Sequence, residues 1–176
     1  MVPDLNFSTL PERESMYPTK NDLPAKKREG LAELLNHHLA VCLDVMLQTK
    51  QAHWNVKGPN FIALHELFDK INEAFEEYTD LLAERIVQLG GVAEGTAVVV
   101  SKRSTLKQYP LLLAEGAEHV DYLSTSVAAF GKIVREAIKT SGEEFGDADT
   151  ADIYTEISRG VDKWLWMLEA HLSAKK

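Results

Sequence analysis

Four potential metal ligands lie on one predicted helix, and a fifth precedes that helix. His65, Asp69, Asp80 and Glu84 are separated by intervals of four, eleven and four residues, and His53 ends the preceding helical segment. At about 100° of rotation per residue, setting His65 at 0° places the three carboxylates near 40°, 60° and 100°. One helix face therefore carries an imidazole and three carboxylates, a donor set that suits iron, manganese or zinc.

The spacing of these ligands predicts a site shared between two subunits. Asp69 and Asp80 are eleven residues apart, which is about 16 Å along a helix axis, too far for one ion to bind both. The helix thus carries two half-sites, His65 with Asp69 and Asp80 with Glu84. An antiparallel copy, related by a two-fold axis near Phe75, would place each half-site opposite the other.

The apolar residues of the same helix predict that its ligands face away from its own core. They recur every three or four residues, as in an amphipathic helix, and their stripe is centred about 150° from the ligand face. The stripe comprises Leu64, Leu67, Phe68, Ile71, Phe75, Tyr78, Leu82, Ile86 and Leu89. The ligands must meet either water or another chain, and an ordinary solvated face is the alternative interpretation.

Four long helices and little strand signal predict an all-α four-helix bundle. The predicted helices span about 24–53, 61–89, 117–139 and 150–173, with Asp149 as the expected cap of the last one. The connection over 92–115 contains β-prone valines and a proline, so either a strand or a short helix is compatible with it. Its length favours a crossover between helices two and three.

Composition indicates one soluble domain. The chain has 176 residues, 45% of them apolar, with one cysteine and a net charge of −8. We expect a mobile N-terminal tail over 1–23, which contains three prolines, and the bundle over 24–176. No secretory signal or membrane span is evident, and the single cysteine fits a cytoplasmic location.

Motifs of other metal and catalytic families are missing from the sequence. It has no Cys-x-x-Cys zinc pattern, no glycine-rich phosphate loop and no Gly-x-Ser-x-Gly elbow. The Glu-x-x-His pairs of ordinary ferritin-like di-iron proteins are also missing. Glu115 and His119 are four residues apart at a helix start, and we expect them at the surface.

Three segments carry a resemblance to a known family. K-Q-A-H-W-N-V-K-G, F-I-A-L-H-E-L-F-D and D-L-L-A-E-R-I-V-Q-L-G-G resemble the signature of the Dps mini-ferritins, and similarity extends over about 24–172. The resemblance implies a ferritin-like bundle in a hollow shell of twelve subunits. Such a shell oxidises Fe(II), preferentially with hydrogen peroxide and otherwise with dioxygen, and stores ferric mineral.

The resemblance also implies roles for the predicted ligands. His53, His65 and Asp69 would come from one subunit, and Asp80 and Glu84 from its partner, at a two-fold interface. In this arrangement His53, Asp80 and Glu84 would hold the tighter iron. His65 and Asp69 would serve a second, weaker or water-bridged position.

Further site residues follow from the same resemblance. Trp54 would lie beside the centre and quench stray oxidising equivalents, or it is a packing residue at the helix end. Asp147, Asp149 and Asp152 are candidates for an acidic pore that draws Fe(II) inward.

The N-terminal tail predicts weak or absent DNA binding. Residues 1–19 contain one arginine against three acids, and DNA affinity increases with the number of phosphates neutralised. Two alternatives to an iron-storing ferroxidase remain: a nucleoid protein that mainly compacts DNA, and a cage that binds zinc.

Overall fold

The computed structural model describes residues 16–172, which form an all-helical bundle. Helices α1 (Ala25–Asn55) and α2 (Phe61–Gln88) form one pair, and α4 (Gly116–Lys139) and α5 (Ala148–Ala170) form the other. Contacts of α1 with α4 and of α2 with α5 close the bundle. The predicted fold class is confirmed.

The core lies between the four long helices. Phe75 of α2 and Phe130 of α4 are fully buried near its centre, with ring centroids 5.5 Å apart. The predicted apolar stripe of α2 is buried except for Leu67, which is only partly covered. The opposite face of α2 consequently remains available for the ligands.

Two glycines end α2 and turn the chain sharply. Gly90 has φ +88°, and its N–H donates to the Val87 carbonyl at 2.9 Å. The Gly91 N–H donates to the Ile86 carbonyl, also at 2.9 Å, which completes a Schellman motif. A Cβ atom on Gly90 would lie 2.6 Å from the Tyr17 carbonyl oxygen, so this position requires glycine.

The crossover between α2 and α4 contains a short helix, α3 (Ala97–Arg103), rather than a strand. The Asn36 side chain donates to the Val92 carbonyl at 3.0 Å and accepts from the Glu94 N–H at 2.9 Å. Arg103 forms ion pairs with Glu33 of α1 and with Glu94. These contacts hold the crossover against α1.

The described part of the N-terminal segment lies along the end of α2. The Tyr17 N–H donates to the Gly90 carbonyl at 2.6 Å, and Arg28 donates to the Leu89 carbonyl at 2.8 Å. Residues 1–15 of the expected tail lie outside the described residues, as do residues 173–176. The mobility of the tail stays a prediction.

Helix α1 is long and apolar enough to cross a membrane by length and composition alone. However, 56% of its most apolar window is buried inside the bundle. This is the pattern of a core helix, and the segment is weak evidence for a membrane span.

A buried ion pair joins the end of α2 to the start of α5. Arg85 donates to both carboxylate oxygens of Asp147, at 2.9 and 2.8 Å, and Asp147 also accepts from the Thr150 N–H and hydroxyl. Asp147 is thus the N-cap of α5, which corrects our assignment of Asp149. Burial raises the pKa of Asp147, but the hydrogen bonds from Thr150 and Arg85 outweigh it and lower the pKa below its usual value.

We predict that Asp147→Ala destabilises the chain far more than Asp149→Ala. The first change leaves the Arg85 guanidinium buried without its partner, at a cost of about 3–5 kcal/mol. Asp149 is exposed in the first turn, so its loss should cost less than about 1 kcal/mol. Urea denaturation of both variants measures this, and equal losses would contradict the assignment of the cap.

His38 is a buried histidine that is hydrogen-bonded to Tyr154. Nδ1 of His38 lies 2.8 Å from the Tyr154 hydroxyl, and the two rings meet edge to face. Burial, followed by the charge of His37, lowers the pKa of His38 from 6.5 to about 4. The folded chain therefore holds this imidazole neutral under conditions that protonate it in the unfolded chain.

We predict a loss of stability on acidification that depends on His38. Because the folded pKa lies below the unfolded one, its contribution is fully present above pH 6.5 and is lost as the pH falls towards 4. At pH 5 the expected loss is about 2 kcal/mol relative to pH 7.5. Urea denaturation at both pH values should show a smaller difference for His38→Gln than for the wild type. His37→Gln, the control, should keep most of the difference, and an unchanged difference in His38→Gln would contradict the prediction.

Candidate metal centre

His53 and His65 hold each other in place across the antiparallel helices α1 and α2. Nδ1 of His53 lies 2.8 Å from the His65 carbonyl oxygen, and Nδ1 of His65 lies 2.8 Å from the His53 carbonyl oxygen. The rings are stacked, with centroids 3.7 Å apart. Since a carbonyl only accepts, each Nδ1 donates, and Nε2 is the ring atom left to bind a metal.

This tautomer is the one that metal-binding histidines usually adopt. A histidine ligand commonly donates its other ring N–H to a carbonyl or carboxylate, which fixes the ring orientation. Here the backbone carbonyl of each histidine accepts the Nδ1–H of the other. Each ring therefore already has the orientation and tautomer that a metal bound at Nε2 requires.

Asp69 lies one helical turn after His65 and completes the half-site within one chain. Its Oδ1 is 3.8 Å from Nδ1 of His53, and it forms an ion pair with Lys50. The hydrogen bond from Lys50 lowers the pKa of the Asp69 carboxyl, against a smaller opposing effect of desolvation. The carboxylate is therefore anionic near neutral pH.

Lys50 is the site residue that the sequence analysis missed. It lies three residues before His53 on α1, so the two side chains share a helix face. This three-residue interval could have indicated from the sequence that Lys50 lies near the site. A lysine is not a metal ligand in its charged form, however, so a search for ligands passes over it.

Asp80 and Glu84 lie further along α2 and are both exposed. Their interval of four residues places them on one face, as predicted. Within residues 16–172, no three histidine, cysteine, aspartate or glutamate side chains come close enough to hold a metal ion. The two half-sites and their union across subunits both stay predictions.

Trp54 and the acidic pore candidates have different environments. Trp54 is 67% exposed beside His53. Asp149 and Asp152 are exposed at the start of α5, and their role in a pore stays a prediction. Asp147 is buried and its charge is compensated by Arg85, and its role in a pore likewise stays a prediction.

The predicted surface position of His119 is wrong. We expected it at the surface, but it is 1% exposed in the first turn of α4. Its Nδ1 is hydrogen-bonded to the Tyr109 hydroxyl of the crossover. The crossover covers this part of α4, and a long irregular segment gives no periodic signal for the surface it will bury.

Comparisons with known proteins agree with the observed fold. The family model of the ferritin-like domain matches residues 32–176. The DNA protection during starvation protein of Agrobacterium fabrum is 45% identical over 159 residues, which cover 90% of this chain and 98% of that relative.

Solved structures give the same result. Dps from Mycobacterium smegmatis in its tetragonal form is similar with a TM-score of 0.83 and 31% identity, over 91% of this chain and 94% of that one. DpsA14 from Streptomyces coelicolor has a TM-score of 0.86 and 28% identity, over 92% and 95%. This chain belongs to the ferritin-like proteins and, among them, to the Dps mini-ferritins.

Proposed function

We propose that this chain is a ferroxidase that stores iron. The observation that carries the proposal is the His53–His65 pair, with both Nε2 atoms free to bind metal beside the Asp69 carboxylate. Fe(II) is the substrate of the site. Neutral imidazoles accept Fe(II), and carboxylates stabilise the harder Fe(III) product.

The site is completed by a second copy of the chain. Asp80 and Glu84 are exposed on the predicted ligand face of α2, and neither forms an ion pair with another described residue, whereas Asp69 pairs with Lys50. Large exposed apolar side chains, which commonly mark subunit contacts, lie near the histidines in sequence. They are Leu47, Trp54, Phe61 and Ile62. These features support an antiparallel two-fold contact through α2, within a shell of twelve subunits.

The proposed reaction removes both ferrous iron and an oxidant. Two Fe(II) ions at one centre supply two electrons, which reduce one hydrogen peroxide to two hydroxide ions. The pairing avoids release of hydroxyl radical, and dioxygen is the slower alternative oxidant. We place this activity in the cytoplasm, where it protects DNA by removing the reactants. The net charge of −8 supports weak or absent binding to DNA itself.

We predict that Asp80→Ala combined with Glu84→Ala slows peroxide-driven oxidation of Fe(II) by about 100-fold or more. Mutation of residues that only hydrogen-bond to metal ligands already lowers metal affinity or activity by about 10–100-fold, and these two residues are proposed as ligands themselves. Stopped-flow absorbance of ferric product after anaerobic loading measures the rate. The control is Asp121→Ala with Glu136→Ala, which removes two exposed acids of α4 and the same charge. Rapid oxidation in the first variant would show that the centre lies elsewhere. Tight zinc binding without oxidation in the wild type would favour a zinc cage.

We predict that Lys50→Met strengthens metal binding at the His65 and Asp69 position. The change removes the cation paired with Asp69 and frees its carboxylate. Calorimetric titration with Co(II), which is not oxidised under these conditions, should show an affinity about three to tenfold higher, equivalent to about 0.7–1.4 kcal/mol. Lys70→Met is the matched control, because Lys70 is exposed beside Asp69 on α2. Weaker Co(II) binding in Lys50→Met would mean that the lysine supports the site instead of competing for it.

A further inference from the structure

Tyr109 and His119 form a buried acid–base pair that the proposed reaction does not yet use. Tyr109 lies in the crossover and is 7% exposed, and His119 is 1% exposed. The phenol oxygen is 2.5 Å from Nδ1 of His119, and the rings are nearly parallel, with 18° between their planes. At this distance, Nδ1 of the imidazole lies within reach of the proton of the tyrosine hydroxyl.

Burial favours the neutral form of both groups. Burial raises the pKa of Tyr109 well above its usual value. Burial lowers the pKa of His119, and the backbone of Leu113 offsets part of that effect. We assign the proton of the neutral imidazole to Nε2, so that the phenol donates to Nδ1.

Phe68 packs near His119 and lies on the same helix as His65. The rings of His119 and Phe68 have centroids 6.3 Å apart. Phe68 lies three residues after His65 on α2, a spacing that brings Cβ atoms to about 5–6 Å. Gly116 lets α4 approach α2 at this end, because a Cβ atom there would lie 2.5 Å from Cδ1 of Leu64.

We propose that Tyr109, with His119 as its proton acceptor, is an electron donor to the metal centre when only one ferrous ion is bound there. The proposal rests on the ferroxidase function proposed above. Tyr109 does not touch the substrate and acts through the side chains between it and the centre.

The step balances in atoms and charge. One Fe(II) and Tyr109 each give one electron to hydrogen peroxide, the O–O bond breaks, and both oxygens leave as hydroxide. The oxidised phenol is a strong acid and passes its proton to Nδ1 of His119, which leaves Fe(III), a neutral tyrosyl radical and an imidazolium. The next Fe(II) reduces the radical, and the proton returns from His119. Without a second electron, one Fe(II) and peroxide would release hydroxyl radical.

Tyr122 provides a matched comparison within the same cluster. Its ring meets that of Tyr109 edge to face, with centroids 5.2 Å apart. Its hydroxyl donates to the Gln108 carbonyl at 2.8 Å, and a carbonyl does not take up the proton. Oxidation of Tyr122 is therefore disfavoured although it lies beside Tyr109.

Rapid-freeze electron paramagnetic resonance tests the proposal. Apoprotein receives one Fe(II) per centre and one equivalent of hydrogen peroxide, and ferric product is followed optically in parallel. We expect a radical signal that narrows when the protein contains ring-deuterated tyrosine. The radical signal should fall at least tenfold in Tyr109→Phe and in His119→Gln. The glutamine keeps a hydrogen-bond acceptor but cannot take up the phenol proton. Tyr122→Phe should retain the radical signal. Thermal melting confirms that each variant is folded.

Other outcomes overturn the proposal or separate it from the ferroxidase function. If Fe(II) is oxidised but the signal persists in Tyr109→Phe, or does not narrow on deuteration, Tyr109 is not the donor. If the wild type fails to oxidise Fe(II), the ferroxidase proposal fails. In that case, flash-quench oxidation of the apoprotein with a ruthenium trisbipyridine complex tests the pair without iron. A tyrosyl signal in the wild type that is lost in Tyr109→Phe and His119→Gln supports the pair as an electron donor. Absence of a tyrosyl signal in the wild type overturns the proposal.

Discussion

The reciprocal hydrogen bonds between His53 and His65 are the interaction on which the site depends. They join the end of α1 to the start of α2 and use both Nδ1 atoms, so that each imidazole keeps only Nε2 for a metal. The antiparallel packing of the two helices makes this exchange possible, because each backbone carbonyl lies opposite the other ring. The helix pair therefore determines the tautomer and the orientation of the ligands before any metal binds.

Charge is distributed unequally between the two half-sites. The half-site at Asp69 includes a lysine, whereas the one at Asp80 and Glu84 carries two exposed carboxylates. If the two combine across a two-fold axis, the ion nearer Asp80 and Glu84 meets the greater negative charge. This asymmetry gives a physical reason for one tighter and one weaker iron position.

Helical periodicity predicted much of this arrangement, because both the apolar stripe and the ligand face of α2 follow from one rotation per residue. The exposure of Asp80 and Glu84 and the burial of Phe75 follow directly from it. The errors occur where periodicity carries no information. Asp147 caps α5 instead of Asp149 because the helix begins at Ala148, two residues earlier than predicted, and the distant Arg85 pairs with the same carboxylate.

The crossover limited prediction for the same reason. It has no repeat, so neither the burial of His119 nor its contact with Tyr109 was visible in the sequence. Lys50 was missed because it is not a ligand. In each case the contact either joins residues that have no shared periodic pattern or involves a side chain that is not itself a metal ligand. The family resemblance supplied the expected roles of the ligands, which spacing alone left open.

The position of iron in crystals soaked anaerobically with Fe(II) tests the central claim most directly. Anomalous diffraction at the iron edge should locate metal between α2 helices of two subunits. The ligands should be His53, His65 and Asp69 of one subunit together with Asp80 and Glu84 of the partner subunit. Iron bound wholly within one chain, or away from these histidines, would contradict the account.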